Sequence, residues 1–375
     1  MPSIITRGAI SARGMGFAAN VKKADPFNGF NAPTTALSSS NGTAWTGLYA
    51  IAAGPANKFI AVGFDQVGVT GGLYIKSSDG VNWSAPTYYG NSIVEIRSVS
   101  VNSAGVYVLG ARNSGSNPAF SYSSDGVTFS AFSEAVGASS QTSPPCIIAT
   151  PSGGFVSSFQ GYAKVSKSSN GSTWSPYINL SSSYAFFYLA STVKSIACNA
   201  NGLLVGVGTA STSSRGGSNY YAVTTSSDGG STWSLLNPIT TSIQGSLNVV
   251  CASSNGGFIA AGKDNGTGAP TVSTSTDGYS WTTPVLLNSS WTQAWYPVSI
   301  ACNSAGTAIV IGDGPNVVPY YSVSTNNGQS WSVPAAIGGT ANQMYVMDIA
   351  VTNTGKFVVC FSAVGTKNSS ICMSY

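Results

Sequence analysis

The sequence contains no histidine. That absence removes Ser-His-Asp triads, Cys-His pairs and histidine-based metal sites together. Charge is scarce too: Asp, Glu, Lys and Arg make up 7% of the chain, against about 25% in ordinary globular proteins. Gly, Ser, Thr and Asn stand where the charges would be, so the expected surface is neutral and hydroxyl-rich. Such a surface suits carbohydrate contact or packing inside a large assembly. No apolar run reaches the about 18 residues that a membrane-crossing helix needs, and residues 1–20 hold no apolar stretch of signal-peptide length. The expectation is synthesis in the cytoplasm without a signal peptide, and no membrane insertion. No P-loop is present, and no CxxC spacing points to zinc. Neither a cofactor nor a dedicated metal site is expected.

The charge that exists is unevenly placed. The formal net charge is +4, and residues 1–36 carry Arg7, Arg13, Lys22 and Lys23 against Asp25 alone. The rest of the chain is nearly neutral, which argues against nucleic acid as its ligand, because phosphate binding needs a basic face.

What the chain has in abundance is one phrase. SSNGTAW (39–45), SSDGVNW (77–83), SSDGVTF (123–129), SSNGSTW (168–174), SSDGGSTW (226–233), STDGYSW (275–281) and STNNGQSW (324–331) repeat it seven times. Asp-Gly and Asn-Gly between strand-like runs mark hairpin turns of type I′, and the closing aromatic anchors the outgoing strand. Each unit also holds a second hairpin, as in SIACNANGLLVGVG (195–208) and NVVCASSNGGFIAAG (248–262). A four-stranded unit of about 40–50 residues is a propeller blade. The fold class is therefore all-β: a seven-bladed β-propeller of four-stranded antiparallel blades over 37–375. The first phrase lacks preceding strands and SSICMSY (369–375) lacks a following phrase. Closure is expected from an N-terminal strand in the last blade, placed after the 39–45 turn. Closing the ring removes its exposed edges.

The phrase resembles the Asp box, or BNR repeat, of sialidase-like propellers, Ser-x-Asp-x-Gly-x-Thr-Trp. Ser226, Asp228, Gly230, Thr232 and Trp233 match it fully, and Ser324, Asn326, Gly328, Ser330 and Trp331 match with replacements. The resemblance implies the architecture. It does not imply an activity, because the box occurs in sialidases, lectins and non-enzymatic propellers, in turns away from the catalytic face. For a sialidase it would imply three clamping arginines, a Tyr–Glu nucleophile pair and an acidic acid/base. Arg97, Arg112 and Arg215 exist, with Glu95, Glu134, Asp264 and Asp313, but Arg97 is followed by Ser-Val where that family has Ile-Pro.

Binding is the better-supported reading. The loops opposite the boxes are long and aromatic, offering Tyr88, Tyr89, Tyr184, Tyr188, Trp291, Trp295 and Tyr296 for stacking. Arg112, Arg215, Lys263, Asp264 and Asp313 share that face as partners for hydroxyls or carboxylates. The cysteines read as small buried apolar residues. Cys198, Cys251 and Cys302 align in one inner-strand column with Ala53, Val101, Ala149 and Val351 and are read as pointing into separate inter-blade spaces, while a Cys360–Cys372 contact is left open.

Residues 1–36 fall outside the repeat and read as an extended, basic, Gly/Ala-rich anchoring arm. SIITRGAISARGMGF (3–17) is similar to amino-terminal stretches of tailed-bacteriophage structural proteins. That resemblance implies a virion location, with Arg7, Arg13, Phe17, Lys22 and Lys23 docking the chain on other tail or virion subunits, as a homo-oligomer in the assembly. The propeller face would then bind a host-surface glycan or receptor without enzymatic activity. A purely structural tail or capsid-decorating protein, a sialidase-like glycosidase and a free-standing lectin are the alternatives.

Overall fold

A computed structural model describes residues 27–38, 46–65, 71–90, 92–135, 144, 146–159, 163–180, 192–211, 218–239, 243–289, 295–338, 344–363 and 368–374. They form seven four-stranded antiparallel sheets. Blade 1 runs from its inner strand Thr46–Ala53 outward through Phe59–Asp65 and Gly71–Ser77 to Thr87–Tyr88. The inner strands of blades 2 to 6 are Ile93–Val101, Cys146–Ala149, Thr192–Cys198, Gly245–Ala252 and Tyr296–Cys302. Blade 7 comprises Met344–Val351, Phe357–Ala363 and Asn368–Met373, and its outer strand is Thr34–Ser38. Each inner strand contacts those of the two neighbouring blades, and the seventh returns to the first. Apolar clusters fill the spaces between blades, which is how a sheet with two apolar faces hides both from water. Among the described residues no helix is long and apolar enough to cross a membrane.

The closure differs in detail from the expectation. The closing strand Thr34–Ser38 precedes the 39–45 phrase, pairing Thr34 with Ile371 and Ser38 with Asn368. That phrase therefore lies in the connection from blade 7 to blade 1 rather than in a turn of blade 7, and it falls outside the described residues. Packing reaches further back still. Phe30 bridges to Ser374, and Phe27 and Phe30 meet Tyr321 at ring centroid distances of 5.8 and 5.3 Å. Residues 27–36, assigned to the arm from sequence, belong to the propeller.

The other six phrases form turns at one end of blades 1 to 6. In the four seven-residue phrases the glycine, such as Gly80 at φ 75° or Gly278 at φ 80°, has positive φ while the Asp or Asn before it does not, so these are not type I′ turns. In the two eight-residue phrases Gly229 and Gly230, and Asn327 and Gly328, carry the consecutive positive φ values that type I′ needs. Side chains also hold the turns. Ser123 Oγ accepts the amide of Gly126 at 2.9 Å, and Asp125 Oδ1 accepts those of Val127 and Thr128 at 2.7 and 2.9 Å. Trp174, Trp233, Trp281 and Trp331 each donate their indole N–H to the glycine carbonyl three residues back.

The inner strands carry a second repeated device. In six blades a β-bulge inserts one extra residue: Tyr49, Arg97, Lys194, Asn248, Val298 and Met347. A bulge leaves ladder groups unpaired and turns the strand. Here the neighbouring blade satisfies the edge amide two residues on. Val250 N–H is accepted by Ser195 Oγ at 3.3 Å, and Ile51 N–H by Asp348 Oδ2 at 3.1 Å. Asp348, fully buried, also accepts Ser299 Oγ–H at 2.8 Å, so one carboxylate joins blades 6, 7 and 1. Opposite the bulges, glycines recur where a side chain cannot fit. A Cβ on Gly63, Gly208 or Gly262 would lie 1.8 Å from the carbonyl oxygen of Gly47, Thr192 or Ser246.

The bulge also corrects the cysteine reading. Register places Ala252, not Cys251, opposite Phe258, so the column is Ala53, Val101, Ala149, Cys198, Ala252, Cys302 and Val351. Cys198 packs in the apolar cluster between blades 3 and 4, whereas Cys251 and Cys302 share the cluster between blades 5 and 6, so two spaces rather than three hold them; atoms of all three also line one cavity with Ala149, Ala301 and Val351. Cys360 pairs with Ile371 and Cys372 with Val359, so their side chains point to opposite faces of blade 7 and both thiols are free.

Two outcomes are expected from this framework. Asp348→Ala orphans the Ile51 amide and the Ser299 hydroxyl, and urea unfolding should show a loss of about 2–4 kcal/mol. The turn carboxylates are held low by the groups they accept. Asp125, bonded foremost by the Thr128 amide, falls to about 2, and Asp228, bonded foremost by Thr232, falls to about 2. A carboxyl depressed in the folded state contributes stability above its unfolded value, and that contribution is lost as pH falls through the folded value. Asp125→Asn with Asp228→Asn, copying Asn170 and Asn326, should lower the thermal midpoint at pH 7 and flatten its acid limb, so that variant and wild type converge between about pH 4 and pH 2.

Candidate functional site

The strand order sends the turn-capped hairpins to one end of the channel and the loops between second and third strands, and between blades, to the other. This second, front end holds the Glu95, Arg97 and Arg112 ion pairs, while the turn carboxylates lie at the other end. The cause is local: the bulges lie in the front halves of the inner strands, and four of the bulged residues, Tyr49, Arg97, Lys194 and Asn248, are polar or aromatic in otherwise apolar strands.

Blades 1 and 2 build one cluster. Glu95, 5% exposed, takes the Nε of both Arg97 and Arg112 at 2.8 Å on the same oxygen. Arg97 lies over the ring of Tyr49, 5.2 Å from its centroid, and Tyr49 stacks on Phe64 at 5.1 Å. Burial alone would raise the Glu95 carboxyl, but Arg97 and then Arg112 outweigh it and hold it below the ordinary range. Burial, then the Glu95 charge, push the Tyr49 phenol up. The cluster is an ion triad with one excess positive charge, in which Arg112 Nε donates to Glu95 Oε1.

Blades 4 to 6 build another. Lys194 donates from Nζ to Asn248 Oδ1 at 2.9 Å, and the same oxygen accepts Ser246 Oγ–H at 3.1 Å. Lys263 sits over the Tyr296 ring at 5.4 Å. Desolvation, then the charge of Lys263, push Lys194 down to about 8.

Several residues singled out from sequence reach this front end in altered roles. Tyr88 is 40% exposed and donates to Asp65 Oδ2 at 3.2 Å. Tyr89 is not a rim aromatic: it is half-buried with its ring edge-on to Phe132 at 4.7 Å. Trp295 is a clear correction, 1% exposed in the core between blades 5 and 6. It fits because Gly312 has no side chain, and a Cβ there would lie 2.6 Å from the indole nitrogen. Tyr296 is half-buried beneath Lys263, and Arg112 belongs to the Glu95 triad. Asp264 accepts the Thr267 amide at 2.7 Å and shapes its own loop. Asp313 accepts the Val346 amide of the next blade at 2.9 Å. Tyr184, Tyr188, Arg215 and Trp291 lie outside the described residues, as do Arg7, Arg13, Phe17, Lys22 and Lys23. Sequence reading missed Tyr49, Lys194 and Asn248. The signal was present as one polar or aromatic residue interrupting each apolar inner strand.

No known family model matches the sequence, and no curated protein does. Solved structures match in fold. A catalytically inactive virginiamycin B lyase from Staphylococcus aureus with quinupristin is similar at a TM-score of 0.63 and 10% identity, over 92% of this chain and 99% of that one. YCF48 bound to D1 peptide is similar at 0.59 and 15%, over 96% and 99%. The GH74 xyloglucanase from Xanthomonas campestris is similar at 0.54 and 14%, over 84% of this chain and 51% of that one. At such identities the likeness concerns the propeller fold alone, on which unrelated chemistries are carried.

Glu95→Gln would remove the charge that two half-buried guanidiniums share. Chemical unfolding at pH 7 should show a loss of about 2–4 kcal/mol. Because the Glu95 carboxyl is depressed in the folded state, its contribution exists above the ordinary glutamate range and is lost on acidification, so the gap between wild type and variant should narrow at low pH.

Proposed function

We propose that this protein is a non-enzymatic binding component of a larger particle, with residues 1–26 as the attachment arm and the front end of the channel as the face that meets its ligand. The observation that carries this reading is where the chain leaves the ring. Phe27 and Phe30 are clamped against Tyr321 and Phe357, and Asn31 donates to the Met373 carbonyl. All three contacts lie at the turn end. A particle holding residues 1–26 would therefore leave the charged front end facing away from it. The similarity of residues 3–17 to amino-terminal stretches of tailed-phage structural proteins suggests a virion as the particle and a host-surface glycan or receptor as the ligand.

The same geometry disfavours glycoside cleavage, which calls for a pair of carboxyl groups about 5–10 Å apart and free to act. Among the described front-end carboxylates, Glu95 is locked between two arginines, Asp65 accepts the Tyr88 phenol, Glu134 accepts the Asn117 amide, Asp264 shapes its loop and Asp313 ties two blades.

The test compares the full chain with residues 27–375 on host cells and a glycan array, and in reconstitution of particles lacking the protein. The shorter chain keeps the closing strand, which a cut at residue 37 would remove. Both forms should bind cells or glycans, and only the full chain should join particles. Binding by neither form, with incorporation of the full chain alone, would make the protein architectural. Turnover of a bound saccharide would make it a glycosidase.

A further inference from the structure

Lys194 and Lys263 are two cations held by neutral partners. Lys194 is the bulged residue of blade 4, and its ammonium reaches across to Asn248, the bulged residue of blade 5. Asn248 is fully buried and is fixed in turn by Ser246. Lys263 extends from the second strand of blade 5, opposite Ser246, and rests on the Tyr296 ring of blade 6. Among the described residues, ion pairs engage Glu95, Arg97 and Arg112, and neither lysine has a carboxylate partner. Burial foremost, and then repulsion between the two ammoniums, depresses Lys194. An amide oxygen and an aromatic face soften this repulsion, but an anion between the lysines would reverse it.

We propose that Lys194 and Lys263 form a site for a single carboxylate at the front end of blades 4 to 6, with Asn248 positioning Lys194. The inference rests on the front end being the ligand face and names the ligand chemistry: a carboxylate on a hydroxylated molecule, as in an acidic sugar. A single negative charge fits better than phosphate, because Asp313 lies close enough to Tyr296 to raise its phenol after burial does, and its carboxylate opposes a second negative charge.

The full chain would be titrated with sodium glucuronate, glucose, triglutamate and sodium phosphate at pH 7 and low salt, read by calorimetry. Glucuronate should bind and glucose should not. Lys194→Met and Lys263→Met should each weaken glucuronate at least tenfold. Acetylation footprinting of the wild type gives a readout independent of the variants: glucuronate should protect Lys194 and Lys263 but not Lys356. Triglutamate bound with the same lysine dependence would keep the carboxylate site and move its source to an acidic peptide. Unchanged glucuronate affinity in both variants, absent protection, or tighter binding of phosphate would overturn the proposal. Cell or glycan binding that persists in Lys194→Met without glucuronate binding would sink the carboxylate site and spare the adhesive reading. A lysine-dependent glucuronate site in a chain that binds no cell would do the reverse.

Discussion

The pairing of Thr34–Ser38 with Asn368–Met373 is the contact on which the rest of the molecule depends. A propeller blade is apolar on both faces and is stable only between two neighbours. An open row of seven would leave one face bare at each end and a strand edge unpaired. Joining residues more than 300 positions apart converts the row into a ring. Asp348, fully buried, reinforces that seam from the inside, where blades 6, 7 and 1 meet, by accepting a backbone amide and a hydroxyl. A buried carboxylate is costly unless its oxygens are occupied, and here these two donors come from the blades on either side.

The inner-strand bulges link closure to the front end. Seven sheets crowding around one axis must approach closely, and the bulge with its facing glycine lets the strand bend where Gly63, Gly208 and Gly262 leave no side chain in the way. In the six bulged blades the same insertion shifts residues out of the ordinary alternation. Where the bulged residue is Val298 or Met347 the channel wall is apolar, and where it is Arg97, Lys194 or Asn248 a polar group is carried to the front end. The site thus follows from the packing device, which holds it on strands rather than on loops.

The parts legible in the sequence were those written locally. Ser, Asp or Asn, Gly and Trp at fixed offsets specify a turn whose bonds all lie within it, so blades 1 to 6 could be counted without knowing their neighbours. One error was local: Cys251 was aligned one residue out although Gly256 stands four residues after Ala252, as Gly202 does after Cys198 and Gly306 after Cys302. The other errors arose where the answer was non-local. Cys360 and Cys372 seemed available to each other until register placed them on opposite faces. Trp295 looked like a rim aromatic because nothing local says that Gly312, on the adjacent strand, leaves room for it. The 39–45 phrase has the wording of the others, yet the closing strand runs before it.

By itself, the sequence determined the fold class, the spacing of blades 1 to 6 and the absence of histidine chemistry, since each depends on residue identity or on contacts within a few positions. The tertiary structure decided which strand closes the ring, which side chains share a space and which charges face each other at the front end. The partners of Asp348 and Glu95, and the nearness of Lys194 to Lys263, depend on how seven sheets are rotated about a common axis. That rotation is set by inter-blade packing and bulge position, which no short stretch of the chain encodes alone.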